Sequence, residues 1–273
     1  MASWPKREGV SCRLAGTVAL LTLPLAAQTE RQFNSSEDDQ KITYGAEADF
    51  NSAYAWRGVV LDSRPVMQPS LWISAYGTTL TAWSNLSLTD LSGSPRLPTD
   101  LILTHRRVWK KLEIESTLEA FLNRRPDIDE RNTMESSLKL SYTAGHFRVF
   151  TIQSFDILTY KGSYFGEAGL GYERRIAKET ELAVSIHSGW ASSKFNAVYI
   201  GLDKPASNFI GIESSPIHYV KPYMYLRPHF EFSNITGQRL REYLSSPTFA
   251  EVGAGAEDRQ KIFSYYSKRL DDL

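Results

Sequence analysis

The amino-acid sequence predicts an all-β fold, a transmembrane antiparallel up-and-down β-barrel of about twelve strands and of the outer-membrane type. Three observations predict it. Segments of about 10 to 14 residues alternate apolar with polar side chains, which matches a tilted strand that crosses a bilayer. Short and long connections alternate between these segments. Aromatic residues stand near both ends of the segments.

Composition narrows the range of partners before any segment is considered. The 273 residues include 31 basic and 31 acidic side chains, so the formal net charge is zero. A chain without basic excess has no electrostatic footprint for nucleic acid, and no nucleic-acid partner is expected. The 14 Tyr, 13 Phe and 6 Trp residues favour strands over helices.

Residues 1–27 are predicted to be a secretory signal peptide. Basic residues precede an apolar run at Leu14–Leu25, and Ala26 and Ala27 follow it as a small-residue end. This order is typical of export signals, and the run is too short to span a bilayer. The single cysteine lies inside this segment, so the exported chain is predicted to have neither a disulfide nor a cysteine ligand.

The first strand, predicted at residues 42–57, shows the alternation and its consequence. Successive side chains of a strand point to opposite faces, so one face is expected to meet lipid and the other to line a lumen. The lipid face would hold Phe50, Tyr54 and Trp56, and the lumen face would hold Glu47, Asp49 and Arg57.

The segment at residues 112–123 has the clearest pattern. Glu113, Glu115 and Glu119 share one face, whereas Leu118 and its apolar neighbours share the other. Three carboxylates cannot face a dry interior unpaired, because burying a lone charge is very costly. Water is therefore expected on the glutamate side and lipid on the leucine side.

The remaining strands complete a barrel over residues 28–257. Their predicted bounds are 65–76, 78–89, 100–109, 134–143, 147–157, 162–174, 179–191, 206–216, 223–234 and 247–257. Residues 258–273 are expected to form a tail, either a short helix or a disordered extension.

The connections predict the orientation of the barrel. Short turns are expected at Gly77, Lys110–Lys111, Ala144–Gly145 and around Ile176, and longer polar loops such as 192–207 separate the other strands. Outer-membrane barrels place short turns on the periplasmic rim and long loops outside. An even strand number then returns both chain ends to the periplasmic rim.

Turn geometry also predicts cross-strand neighbours. A two-residue turn at Lys110–Lys111 sets Arg106 opposite Glu115, which is expected to be an ion pair in the lumen. The same register turns His105 and Arg107 outward. Arg107 stands near the short turns and can extend its charge to the rim, whereas nothing in the sequence explains the outward His105.

Two sets of candidate functional residues follow from these assignments. The lumen set is Glu47, Asp49, Arg57, Arg106, Glu113, Glu115, Glu119, Lys139, Arg148, Glu167, Arg227 and Glu231. The set expected in the aromatic girdles at the two interfaces is Tyr54, Trp56, Trp109, Tyr142, Phe147, Tyr164, Tyr172 and Trp190. Arg57 is further expected either to pair with Asp62 or Asp90 at the outer rim or to contact a solute.

A local signature resembles a known family. The Tyr-x-x-Arg-Gly motif at residues 54–58 is followed by the segment 59–74 and by Trp83 within residues 80–90. These residues resemble the N-terminal hairpins of the TorF family of porins and of related uncharacterised outer-membrane barrels of Gram-negative bacteria. The resemblance covers about residues 44 to 90 and implies a pore-forming barrel without catalytic residues.

The predicted function is that of a small passive channel in the bacterial outer membrane, weakly selective for cations because acidic side chains dominate the lumen. Two alternatives remain open: a closed structural or surface-binding barrel, and an outer-membrane lipid hydrolase. For the hydrolase, Ser185 and His187 share the lumen face rather than the lipid face. The sequence predicts no enzyme, cofactor or metal site. The expected partners are membrane lipid and small hydrophilic solutes or ions, and the oligomeric state is left open.

Overall fold

The computed structural model describes residues 42–89, 99–122, 131–221, 224–244 and 247–261. The strands are β1 (Thr43–Asn51), β2 (Tyr54–Trp56), β3 (Val59–Asp62), β4 (Val66–Ala75), β5 (Thr78–Ser84), β6 (Leu86–Ser87), β7 (Thr99–Trp109), β8 (Leu112–Leu122), β9 (Thr133–Ala144), β10 (Phe147–Asp156), β11 (Tyr164–Ala177), β12 (Thr180–Ala191), β13 (Ala206–Lys221), β14 (Met224–Ile235) and β15 (Thr248–Lys261). The helices are α1 (Ser193–Tyr199) and α2 (Gln238–Tyr243). The predicted signal peptide and residues 262–273 of the predicted tail lie outside the described residues.

Twelve strands form the closed barrel that the sequence predicts. From β7 to β15 each strand pairs antiparallel with the next, and β4 and β5 continue the sheet beyond β7. The barrel closes because β1 pairs with β15 on one side and with β4 on the other. The two-residue strand β6 pairs with the first two residues of β4, beyond the stretch that pairs with β5. The strands β2 and β3 form a separate hairpin.

Short turns gather at one end of the barrel, which we call the short-turn rim. Tyr76 and Gly77 join β4 to β5 with positive φ angles of 54° and 73°. This left-handed pair is the turn geometry whose twist matches that of the adjoining strands. The start of β1 and the end of β15 stand at the same rim. The opposite end, the long-loop rim, carries the hairpin and both helices.

The outer surface is apolar around the barrel. Leu71, Val149 and Leu118 expose 66%, 59% and 43% of their surfaces, and many other large apolar side chains are similarly exposed. A soluble protein rarely exposes so much contiguous apolar surface. A closed barrel with this exterior pairs its backbone groups internally and meets lipid, so the fold is that of a transmembrane barrel of the outer-membrane type.

The predicted register around Lys110–Lys111 is confirmed. Arg106 stands opposite Glu115, and Trp109 stands opposite Leu112. The outward-facing His105 also finds a partner, because its Nδ1 lies 2.8 Å from the hydroxyl of Thr78 on β5.

Several strand bounds differ from the prediction, among them the end of β13, which is Lys221 rather than residue 216. The first strand ends at Asn51 rather than at residue 57, because the chain then folds into the barrel and packs Trp56 against interior aromatic rings. The strand β5 ends at Ser84, well before the predicted residue 89. The strand β15 continues past residue 257 to Lys261, because it stays paired with β1 to its end. Among the described residues, neither helix is long and apolar enough to cross a membrane.

Candidate functional site: the lumen of the barrel

The strands place charged side chains on their inward faces. In β8, β9 and β14 the buried residues alternate with exposed ones, and the buried set includes Glu119, Glu135 and Glu231. The predicted lumen residues carried by strands all occupy inward positions: Glu47, Asp49, Arg106, Glu113, Glu115, Glu119, Lys139, Arg148, Glu167, Arg227 and Glu231. Their proposed part in selectivity stays a prediction.

The predicted ion pair of Arg106 involves a different carboxylate. Although Glu115 is its cross-strand neighbour, the guanidinium of Arg106 binds Glu113. Glu115 stands opposite Lys139 of the next strand instead. The long arginine side chain reaches the glutamate nearer the short-turn rim, which a register alone does not predict.

A second charge cluster spans three strands. Arg227 on β14 binds Glu47 at 2.7 Å and Asp49 at 3.0 Å, both on β1. The strand β15 lies between them, and its residue in that row is Gly255. A Cβ at Gly255 would collide with the carboxylate of Asp49, so the glycine leaves the space in which the ions meet. The Arg227 side chain is 3% exposed, whereas that of Glu47 is 16% exposed.

A buried histidine lies on β12, on the inward face of the barrel. Nδ1 of His187 is 2.9 Å from the carboxylate of Glu167, and both side chains are less than 5% exposed. The hydroxyl of Ser188 donates to the carbonyl of Phe209 on the outward side, and Ser185 lines a cavity nearer the short-turn rim. No group of three or more potential metal-ligating side chains comes together among the described residues.

An apolar cluster fills the lumen near the long-loop rim, and we call it the apolar plug. It consists of Trp56, Phe121, Phe165, Ala191, Phe195, Phe209, Ile235 and Leu240. Strand residues supply its walls, whereas the β2–β3 hairpin, α1 and α2 supply Trp56, Phe195 and Leu240. Strands and the segments that connect them therefore close this end of the barrel together.

Polar contacts hold α1 against the barrel. The hydroxyl of Ser192 accepts a hydrogen bond from the backbone N–H of Phe195 and so caps the helix. The side-chain amide of Asn208 on β13 donates a hydrogen bond of 2.9 Å to the side-chain oxygen of Asn196, which is fully buried. These bonds point Phe195 into the apolar plug.

Arg57 lies at the inner tip of the hairpin. Its guanidinium donates to both carboxylate oxygens of Glu135 on β9, at 3.0 Å and 2.5 Å. The guanidinium also lies 4.3 Å, 4.6 Å and 5.3 Å from the ring centres of Trp56, Phe165 and Phe195. The predicted lumen position of Arg57 is therefore reached by an inward-folded hairpin and not by a continuous strand.

The predicted partners of Arg57 are different from the observed one. Asp62 binds Arg64, which donates from its backbone and its side chain. Partial burial acts in the opposite direction, but these hydrogen bonds lower the pKa of the Asp62 carboxyl below its usual value. The other predicted partner, Asp90, lies outside the described residues.

The lumen opens into a cavity at the short-turn rim, which we call the vestibule. Its volume is about 1070 Å³. Its wall includes Arg148, Glu173, Ser185, Glu213 and Arg227. Arg148 pairs with Glu173 at 3.1 Å, whereas Glu213 forms no direct ion pair among the described residues and interacts at longer range with the charges of Arg148 and Arg227.

Burial shows that the middle of the lumen is closed in this conformation. Thr117, Glu119 and Glu135 are 2% to 3% exposed, and His187 is 4% exposed. Side chains that line a water-filled pore would be accessible to water. The barrel is therefore open at the vestibule and packed above it.

The predicted girdle residues fall into two groups. Trp109, Tyr142 and Phe147 are more than half exposed on the outer surface near the short turns. Tyr164, Tyr172 and Trp190 take outward positions in β11 and β12, and the indole N–H of Trp190 donates to the hydroxyl of Tyr164 at 2.8 Å.

The prediction for Tyr54 and Trp56 is wrong. Trp56 is 8% exposed inside the barrel, and Tyr54 packs against Trp83, which is 7% exposed. Neither ring lies on the lipid face, because β1 ends at Asn51, before both residues. Apolar and polar residues continue to alternate through the hairpin, so the sequence predicted a longer strand than the one that forms.

The sequence analysis did not identify the apolar plug. Phe121, Phe165 and Phe209 are inward-facing residues among charged neighbours, a signal that could have indicated a filled outer mouth. Ser192 followed by an apolar-rich segment could likewise have indicated the cap of α1. No local signal identifies the contact of Arg57 with Glu135, which lies 78 residues away.

Comparison with known proteins finds distant structural likeness. No family model and no curated protein matches the chain, so the TorF resemblance stays a resemblance of residues 44–90. The KdgM porin is 11% identical over 79% of this chain and 98% of its own, with a TM-score of 0.45. An outer membrane channel from Pseudomonas putida F1 is 11% identical, covering 81% and 96%, with a TM-score of 0.45. The NanC porin is 6% identical, covering 81% and 98%, also at 0.45. Likeness at this level assigns no function.

Proposed function

We propose that the protein is a gated channel of the bacterial outer membrane that passes small cations. The observation that carries this proposal is the difference between the two ends of the lumen. The strands present charged inward faces that lead into an open vestibule, whereas a hairpin and two short helices enter the outer mouth and complete its closure with Trp56, Phe195 and Leu240. Loops open and close more readily than strands of a barrel wall do.

The preference for cations follows from carboxylates that form no direct ion pair with an arginine among the described residues. Four inward arginines of the described residues bind carboxylates: Arg57 binds Glu135, Arg106 binds Glu113, Arg148 binds Glu173, and Arg227 binds Glu47 and Asp49. Glu213 and Glu231 have no ion pair with another described residue. Carboxylates along a narrow path attract cations and repel anions, and a twelve-stranded barrel leaves only a narrow path.

Planar-bilayer recordings test this function. A variant in which a short Gly-Ser turn replaces residues 53–64 should show larger and steadier current steps than the intact protein, because the hairpin no longer enters the lumen. In that variant, Glu213→Gln combined with Glu231→Gln should reduce the cation preference, whereas Glu242→Gln on the exposed face of α2 should not. High salt should also weaken the preference, since ions screen the lumen charges.

The packing of the middle lumen favours a second candidate, a closed structural barrel. Silence of both the intact protein and the hairpin-deleted variant, with correct insertion, would support this candidate and contradict the channel. Anion preference in the open variant would contradict the proposed selectivity alone.

A further inference from the structure

The surroundings of Arg57 have the composition of a cation-binding site. The guanidinium meets a carboxylate in bidentate geometry and lies near the faces of aromatic rings. Bidentate carboxylates and aromatic faces are the two groups that recognise guanidinium and ammonium ions in proteins. We call Glu135, Glu119, Phe165 and Phe195 the cation cage.

The cation cage does not depend on the hairpin for its walls. Glu119 belongs to β8, Glu135 to β9, Phe165 to β11 and Phe195 to α1. Phe165 and Phe195 pack on each other with ring centres 5.2 Å apart. Removal of Arg57 from this place would leave these four groups on elements other than the hairpin.

Two carboxylates stand side by side in the cation cage. Glu119 and Glu135 are direct cross-strand neighbours, and both are 2% exposed. Like charges directly opposite each other destabilise a sheet, and burial increases their repulsion. A cation beside them relieves this repulsion, and Arg57 supplies it within the chain.

The hairpin holds Arg57 in a strained position. Arg57 has a φ of 53°, in the left-handed region that is unfavourable for residues with a side chain, and Gly58 follows with a φ of 82°. A Cβ at Gly58 would approach Phe209 to 2.8 Å, so the hairpin fits closely against the plug. The contacts of the Arg57 guanidinium offset this strain.

We propose that the cation cage is a binding site for solutes that carry a guanidinium or primary ammonium group, and that Arg57 occupies it as an internal ligand. A solute that takes the place of Arg57 removes the contacts that hold the hairpin in the lumen. The binding step stands by itself, whereas release of the hairpin to open a pore rests on the proposed channel function.

Chemical complementation tests the binding step. In the Arg57→Ala variant the cage is vacant, and millimolar methylguanidinium should bind it, measured by calorimetry and by a rise in the melting temperature of the barrel. Urea, which is planar and similar in size but uncharged, should not bind. In Arg57→Ala with Glu135→Gln the affinity should fall about tenfold or more, because a charge-assisted bidentate contact is lost.

A second variant keeps the positive charge and therefore guards against misfolding. Lysine is a point charge that cannot form the bidentate contact, so methylguanidinium should compete with it more easily and bind Arg57→Lys more tightly than the wild type. Equal binding of methylguanidinium and urea, or equal affinity with and without the Glu135 carboxylate, would overturn the site.

Bilayer currents test the second step separately. Methylguanidinium should increase the open time of the Arg57→Lys barrel, and it should leave the hairpin-deleted variant unchanged. Binding without a change in open time, in a barrel whose hairpin-deleted form conducts, would retain the site and overturn hairpin release. If the hairpin-deleted form is silent, the channel function fails while the calorimetric result still decides the binding site.

Discussion

Glycine positions determine which lumen charges can meet. Asp49 and Arg227 belong to strands that are not neighbours, and only the missing side chain of Gly255 in the intervening strand lets them touch. Breaking a buried ion pair costs more free energy than the pair contributes, because one charge is left without a partner. A single methyl group at this position should therefore have a large effect.

Gly255→Ala should lower the free energy of unfolding by about 1 to 3 kcal/mol, since the new methyl group displaces the Asp49 carboxylate. Gly171→Ala is the matched control, because its Cβ would lie 3.7 Å from the nearest atom, an ordinary contact. Urea titration of the barrel in lipid, followed by gel mobility without boiling, measures both. Equal stability of the two variants would show that the collision is relieved at no cost.

The strand β8 has one face toward the lumen and one face toward the lipid. Its inward residues Glu115, Thr117 and Glu119 are 2% to 6% exposed, whereas its outward Leu118 is 43% exposed. Thr117 also contacts Thr104 of β7 across the lumen face at 3.2 Å. The same backbone thus carries groups that lipid would exclude and groups that lipid accepts.

Leu118→Arg should block stable insertion, because a charge on the lipid face near the middle of the bilayer costs about 2 to 4 kcal/mol. The control is Ser185→Arg, at a similar distance from the short turns on β12. Ser185 lines the vestibule opposite Glu213, so its arginine gains water and a carboxylate. The folded fraction on unboiled gels measures insertion. A larger loss with Ser185→Arg would invert the assigned faces.

The β2–β3 hairpin marks the limit of reasoning about single elements. Its residues continue the alternation of β1, so a pattern of period two cannot distinguish a longer strand from a strand followed by an inward hairpin. The decisive difference is the set of partners available to Trp56. Inside the barrel it meets Phe121, Phe195 and Tyr199 within 6.1 Å, contacts that come from two separate elements, β8 and α1.

The molecule as a whole is a barrel that is packed at its outer mouth and open at the vestibule. Every barrel strand pairs with two neighbours in the described part of the chain, so the barrel sheet closes on itself. The pairing of every barrel strand with two neighbours and an apolar exterior explain how the chain can reside in a membrane although many of its charges are buried. Several of these charges are compensated inside the lumen by ion pairs between strands, such as those of Arg106 with Glu113 and of Arg227 with Glu47 and Asp49.

The purified protein should therefore behave as a heat-modifiable outer-membrane protein. Unboiled material should migrate faster on gels than boiled material, because a closed barrel resists detergent until its strand pairs separate. Fractionation of cells should place it with outer membranes, as the predicted export signal requires. Recovery in the soluble periplasmic fraction would contradict this location.

Strand positions and faces could be predicted because each depends on neighbours in the sequence. The two-residue period, the turn at Lys110–Lys111 and the row of glutamates in β8 are local features, and the register they predict is the one observed. The partner of an ion pair was less predictable, since Arg106 binds Glu113 and not Glu115, which stands opposite it. Side-chain reach, and not register, determines that choice.

Local sequence was sufficient to indicate a twelve-stranded barrel with an apolar exterior and a charged interior, because a strand that separates lipid from a polar lumen must alternate along its length. The closed state of the lumen arose from contacts among distant segments. Arg57 meets Glu135 across 78 residues of chain, and the rings around it come from β11, α1 and the hairpin itself. Such a cluster forms only when barrel closure brings these elements around one space, so no short stretch of sequence contains it.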